Sequence, residues 1–369
     1  MKPTDSYFDI RKIKTLQQIE AVIEPFPRYA KRFFAAIDSS TTELTRLGYA
    51  RDLNIFFDWY VNTIEPGKAM RDITLSDLGR LTLLDFEQFV AYLSHYVSPS
   101  GETVECNAKA KARKISALRR FFHFLVTHRL LLNNIVESLE MPKIRTKTVD
   151  YLSVKQSNNI RELATQGYGE TEKERVAREK CSARDNAIIT LFLGTGIRVS
   201  ELVGLNVKDV NFREGALKVV RKGINESYVY FGKEVRSALI EYLNFRDAEK
   251  QKLLMDKTNK ENIEKAKLYD NPALFLSSRL PIERIGVRAV QKLVKKYAEY
   301  VTDKKVTPHT LRRTFGSNLY SKTKDVGVVS HALGHKDLDT TAEHYVGTFD
   351  DVSKHIIRQY DPFSDPKKK

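Results

Sequence analysis

Between Pro27 and Leu139, apolar residues recur every three or four positions, the spacing that lines up side chains on one face of a helix. Leu53, Phe56, Phe57, Tyr60, Val61 and Ile64 form one stripe; Phe86, Phe89, Val90 and Leu93 form a second; Ile115, Leu118, Phe122 and Leu125 form a third. Stripes of this kind need each other to escape water, so residues 27–140 are expected to fold as a small helix bundle behind an N-terminal extension, 1–26. "MPKIRTKTVDYLS", Met141 to Ser153, has a proline, several charges and no period, and reads as an exposed linker over 141–153.

Beyond the linker the pattern changes. "SARDNAIITLFLGTGIRVSELVGL" predicts a helix, a glycine-broken turn and a second helix capped near Ser200. "GALKVVRKGINESYVYFG" alternates with a period of two on both sides of Lys222 and Gly223, which predicts a hairpin with a basic tip. Phe245 to Asp270 is rich in Lys and Glu and reads as an exposed helix or helical pair. A short extended piece and a basic helix follow in "ALFLSSRLPIERIGVRAVQKLVKKYAEY". The fold class is therefore mainly α with a small β component: a helical domain over 27–140, an α+β domain over 154–349 and a tail over 350–369.

Charge narrows the partner. The 369 residues carry 62 Lys and Arg against 47 Asp and Glu, an excess of fifteen, while 41% hydrophobic and 30% charged residues are ordinary for a globular chain. A positive excess of this size points to a polyanion, since each cation laid on a phosphate releases counterions. Lys109, Lys111, Arg113, Lys114, Arg119 and Arg120 crowd around the third stripe. Such a run can be a plain solvated face; beside the overall charge it is taken as a DNA-facing helix. Cys106 and Cys181 have neither disulfide nor metal-ligand spacing. The start lacks an apolar core, and "AIITLFLGTGI" is too short to span a bilayer. A cytoplasmic protein with no membrane partner, nucleoid-associated when bound to DNA, is expected.

Three places remain for chemistry: "TGIRVSEL" around Arg198, "RKG" around Lys222, and "HTLRRTF" with His309 and Arg312, followed by "LGHKDLDTTAEHYVG". Cleaving a phosphodiester without a metal requires guanidinium donors for the non-bridging oxygens, an acid for the departing oxygen and a nucleophile, and each type is present. His309 and Arg312 are three apart and share a helix face. Thr340 and Glu343 have capping-box spacing, which would start a short helix carrying Tyr345, and Gly334 has the place of a helix C-cap turning His335 outward. Each residue alone also has a plain reading: Arg198 at a helix start, Lys222 in a turn, His309 as a cap. A zinc site from His309, His331, His335 and His344 is disfavoured, because no Cys or carboxylate accompanies them at ligand spacing. No metal is expected, and His95, His123, His128, His331 and His355 are read as structural.

Taken together, "TGIRVSELVGL", a hairpin lysine, "H-x-L-R-R-T-F" and "LGH" followed by "TT" and a tyrosine resemble the tyrosine recombinases of the phage integrase and Xer family, in the same order and from Pro27 to about Tyr360. The resemblance implies an N-terminal SAM-like core-binding domain and a recombinase catalytic domain that clamp duplex DNA. It implies catalytic roles for Arg198, Lys222 as general acid, His309, Arg312 and His335, with Tyr345 as nucleophile. Glu201 would orient Arg198. Tyr345 stands ten residues beyond His335 where many members show nine, so strict counting puts His344 in its place; a one-residue helix adjustment keeps Tyr345 and makes His344 its neighbour.

The family further implies a 3′-phosphotyrosyl intermediate, a Holliday junction, a homotetramer on two specific DNA sites, no cofactor, and an accessory directionality factor as a candidate further partner. Val352, Ile356 and Ile357 of the tail would dock on a neighbouring subunit. Two other readings stand beside this one: an inactive sequence-specific DNA-binding regulator, which would form no covalent adduct, and a relaxing enzyme of the type IB topoisomerase class, which would need no specific site.

Overall fold

The structure, a computed structural model, describes residues 7–98, 101–144, 151–166, 171–172, 175, 179–221, 225–255, 260–278 and 281–334. The chain divides into two compact units, Met1–Thr146 and Lys147–Lys369. Among the described residues no helix is long and apolar enough to cross a membrane.

In the first unit, α1 (Tyr7–Ile23) packs on α3 (Glu43–Trp59), and α2 (Arg28–Ala36) packs on α6 (Ala108–Thr127). The short α4 (Leu75–Arg80) and α5 (Leu83–Tyr92) begin at capping boxes. Thr74 and Thr82 each accept the N–H of the residue three ahead, Asp77 and Asp85, whose carboxylates accept the threonine N–H in return. Asn107 starts α6 by accepting the Ala110 N–H at 2.9 Å. The three apolar stripes meet as expected. Phe56, Phe86, Phe89 and Phe122 are fully buried, with edge-to-face ring pairs at 5.5 Å (Phe56–Phe89) and 5.3 Å (Phe86–Phe122). The segment before Pro27 shares this core, since Ile19 and Phe26 are both buried in it. A two-residue pair, β1 (Tyr96–Val97) with β2 (Thr103–Val104), precedes α6.

The second unit is built around α8 (Ser182–Thr195), which packs against α7 (Val154–Gln166), α10 (Lys233–Met255) and α13 (Pro308–Thr323). A helix touched on all sides must be apolar all round, and Ala187, Ile188, Ile189, Leu191 and Phe192 are all buried. This explains the long apolar run of the sequence without a membrane. After α9 (Val199–Gly204) come β3 (Val210–Asn211), β4 (Ala216–Arg221) and β5 (Asn225–Tyr230), an antiparallel sheet in the order β3-β4-β5. The expected hairpin pairs from Ala216↔Tyr230 to Arg221↔Asn225; Lys222 and Gly223, expected at its tip, lie outside the described residues. The Lys- and Glu-rich stretch is a helical pair, α10 with α11 (Lys260–Leu268). Arg246 anchors it by donating to the carbonyls of Tyr269, Asn271 and Ala273. The basic helix is α12 (Val287–Ala298), and α14 (Val326–Leu333) closes the described chain.

Candidate active site

Two left-handed glycines set the site. Helix α8 ends at Gly196 (φ 63°, ψ 20°), and a Cβ there would lie 2.5 Å from Phe315 Cδ1 and 2.8 Å from Leu333 Cδ2. Only glycine meets both demands, the backbone conformation and the close approach of α13 and α14. Helix α14 ends at Gly334 (φ 63°, ψ 48°), the C-cap its sequence position implied. The chain ends of α8 and α14 are thereby pressed against α13, and their last carbonyls, left without helical partners, face its side chains.

Arg312 takes up those carbonyls. Its guanidinium is buried and donates to Gly196 O and to Leu333 O, one from each helix end. The negative ends of two helix dipoles thus hold a cation that burial alone would disfavour. His309 sits one turn earlier on the same face of α13 and is exposed. The cap of α13 is Thr307, which accepts the Thr310 N–H at 3.2 Å with Pro308 at the first helical position, so the helix start does not need His309.

Arg198 is itself the N-cap residue of α9, two positions before the start expected near Ser200. A Ser side chain is the usual signal for a cap, but here the buried Glu201 carboxylate does the work from inside the first turn. It accepts the Arg198 N–H at 2.9 Å and the Arg198 Nη1 at 2.9 Å. Arg198 Nη2 donates to Gly334 O at 3.3 Å. Arg198 and Arg312, far apart in sequence, therefore hold consecutive carbonyls at the end of α14. Glu201 thus bonds both the backbone N–H and the guanidinium of Arg198.

Sequence reasoning missed Arg221, the last residue of β4. Its Nε lies 3.9 Å from Glu201 Oε1, and its guanidinium lies so close to Gly334 that a Cβ there would be 1.5 Å from Nη1. Burial pushes its pKa down; Glu201 opposes this and the like charge of Arg198 adds to it. The sequence signal was only its place before Lys222 at a strand end. Lys222, His335, His344 and Tyr345 lie outside the described residues, as do the Thr340–Glu343 capping pair and the tail from 350. Among the described residues no group of three or more His, Cys, Asp or Glu could hold a metal ion.

The basic helix α6 of the first unit turns out to be divided. Lys114 is buried with its Nζ 3.8 Å from Asp52 Oδ1, and Arg113 pairs with the same buried carboxylate. Arg119 donates to the carbonyls of Val136, Glu137 and Leu139, at 2.6 Å to the last. Lys111 reaches Ser94 Oγ at 2.6 Å, while Lys109 and Arg120 are exposed.

Residues 170–351 match the phage integrase family, and residues 30–129 match its N-terminal SAM-like domain. Tyrosine recombinase XerC of Thermodesulfovibrio yellowstonii is 35% identical over 68% of this chain and 74% of its own. XerC of Caldanaerobacter subterraneus is 30% identical over 89% and 85%. Tyrosine recombinase XerS of Streptococcus gordonii is 28% identical over 95% of this chain and all of its own (100%). Among solved structures, the XerH site-specific recombinase bound to a palindromic difH substrate, a post-cleavage complex, superposes with a TM-score of 0.60 at 17% identity over 87% of this chain and 82% of that one. A lambda integrase dimer bound to a core site gives 0.55 at 16% identity over 86% and 93%. At such identities the likeness to the solved structures is one of fold.

Proposed function

The chain belongs to the phage integrase family of tyrosine recombinases, and we propose on that premise that it breaks and rejoins DNA through a 3′-phosphotyrosyl link to Tyr345. It is a site-specific recombinase that acts on DNA. In the proposed reaction the Tyr345 oxygen forms a bond to the scissile phosphorus as the bond to the 5′ oxygen breaks. A phenol has a pKa near ~10, so the site must remove its proton or stabilise the anion as it attacks. His309 takes the proton, Lys222 protonates the departing 5′ oxygen, and Arg198 and Arg312 neutralise the non-bridging oxygens in the transition state. His335 adds a hydrogen bond to the phosphate. A 5′ hydroxyl of the other duplex then attacks the phosphotyrosine and frees Tyr345. Two rounds carry the partners through a Holliday junction on a homotetramer.

The observation that carries this reading is the pair of guanidiniums at the end of α14, brought together by two glycine caps and one shared turn. Recovering DNA covalently bound to the protein from cells and sequencing its ends tests the reaction and identifies the site. The acid is tested separately: Lys222→Ala should slow cleavage of ordinary DNA by about 100-fold or more, as expected for general acid catalysis, and slow DNA with a 5′-bridging sulfur far less. Sulfur leaves without a proton, so equal slowing on both substrates removes Lys222 from the role.

On α6, the exposed Lys109 and Arg120 are the cations with which the first unit would meet phosphate, with Lys111 and Arg113 beside them. Replacing Lys109 and Arg120 together by Ala should weaken DNA binding and flatten the plot of log affinity against log salt by about 1–2 units, near one for each phosphate no longer neutralised. Arg119→Ala should instead lower stability, since it strips donors from three carbonyls. An unchanged slope in the double variant would return this face to plain solvation.

A further inference from the structure

We infer that Arg221 is a positioning residue for the recombinase reaction, acting on Arg198 through the carboxylate they share, Glu201. The inference rests on the reading of Arg198 as a phosphate-binding group and adds to it a residue that the sequence motifs did not include. Four groups from three elements close on one another. Glu201 Oε1 lies 2.9 Å from Arg198 Nη1 and 3.9 Å from Arg221 Nε, while Oε2 accepts the Arg198 N–H. Gly334 is bracketed by both arginines: its carbonyl accepts from Arg198 Nη2, and its Cα faces the Arg221 guanidinium, which would have to move to admit a Cβ there.

The charge balance explains why a second guanidinium belongs there. Arg198 and Glu201 alone are neutral as a pair, and a carboxylate in direct contact with Arg198 competes with the phosphate for it. Arg221 draws on the same carboxylate and leaves the trio with a net positive charge. A guanidinium keeps its proton throughout, so a half-buried arginine whose Nε has no hydrogen-bond partner among the described residues is costly to hold. The Nε is closed off from solvent and the rest of the group lies over Gly334, which favours action through Glu201 over direct contact with DNA.

The test uses the full-length protein and a nicked duplex built on the sequence recovered from protein-linked DNA ends. Arg221→Met keeps an unbranched stem and removes the charged end; Arg221→Lys restores charge without the planar fork. Each is made alone and with Glu201→Gln, and covalent adduct formation is followed in a single turnover across DNA concentrations and salt. Arg221→Met is expected to slow the step at saturating DNA by about 10–100-fold, with half-saturation within about twofold and an unchanged salt slope. Arg221→Lys should recover part of the rate. With Glu201→Gln present, Arg221→Met should cost less than about threefold more, because both changes act on one device.

Three results would overturn the inference while leaving the recombinase reading intact: a full rate in Arg221→Met, losses that multiply with Glu201→Gln alongside weaker binding and a flatter salt slope, or a lower Tm with an unchanged rate per folded molecule. The second would make Arg221 a direct DNA contact, and the third a packing residue. A wild-type protein that leaves no adduct on the same duplex would overturn the recombinase reading and this inference with it.

Discussion

Tyr345→Phe binds its DNA site as the wild type does and leaves no covalent adduct: this is the expected result, and it removes the reaction entirely because the nucleophilic oxygen is gone. Strict counting from His335 leaves His344 as the rival. The adduct itself reports which residue attacked, since a phosphohistidine is labile in acid and a phosphotyrosine survives it. His344→Ala should still form an acid-stable adduct, at a reduced rate if its ring helps orient the phenol, and peptide mapping of the trapped wild type should place the DNA on Tyr345. An acid-stable adduct persisting in Tyr345→Phe would sink the assignment. Tyr320 is a poor substitute in that event: it is buried against Val329 and Leu333, and burial pushes its pKa up, which makes its phenolate harder to form.

Arg312→Ala should carry a double loss. As one of two guanidiniums assigned to the transition-state charge, its removal should slow adduct formation by about 100–1000-fold, the range seen when one such donor is deleted. As the group that donates to Gly196 O and Leu333 O, its removal leaves two buried carbonyls unsatisfied, at about 1–3 kcal/mol each. In a unit of this size that corresponds to a Tm lower by roughly 5–15 °C. Arg312→Lys places one point charge where a planar fork bridged two helix ends, so it should recover part of the stability and little of the rate. Measuring the rate at a temperature where the variant remains folded separates the two losses; a rate near wild type under that condition would exclude Arg312 from the chemistry.

The local rules were readable in the sequence. Three apolar stripes in 27–140 became one aromatic core, the alternation around Lys222 became β4 and β5, and Gly334 became a left-handed cap. Each of these depends on residues a few positions apart, and the periods of helix and strand record that dependence directly. The start of α9 shows the limit of such reading: Ser200 has the chemistry of a cap, yet Glu201 holds the preceding Arg198 N–H from inside the helix and moves the start two residues back.

What a cation on a polar helix face points at is another matter. Lys109, Lys111, Arg113, Lys114, Arg119 and Arg120 look alike in sequence, but the fold assigns them different partners. Asp52, on α3, takes Arg113 and Lys114, and the carbonyls of 136–139 take Arg119. The same holds at the site. The order of Arg198, His309 and Arg312 along the chain was enough to suggest phosphate chemistry, because residue types and spacing limit which reactions are available. It was not enough to show that Arg198 and Arg312 hold neighbouring carbonyls of one turn, or that Arg221 shares Glu201 with Arg198. Those contacts depend on how closely α8, α13, α14 and β4 approach, and that approach is set by close packing across the whole unit, where a single Cβ at Gly196 or Gly334 would already collide.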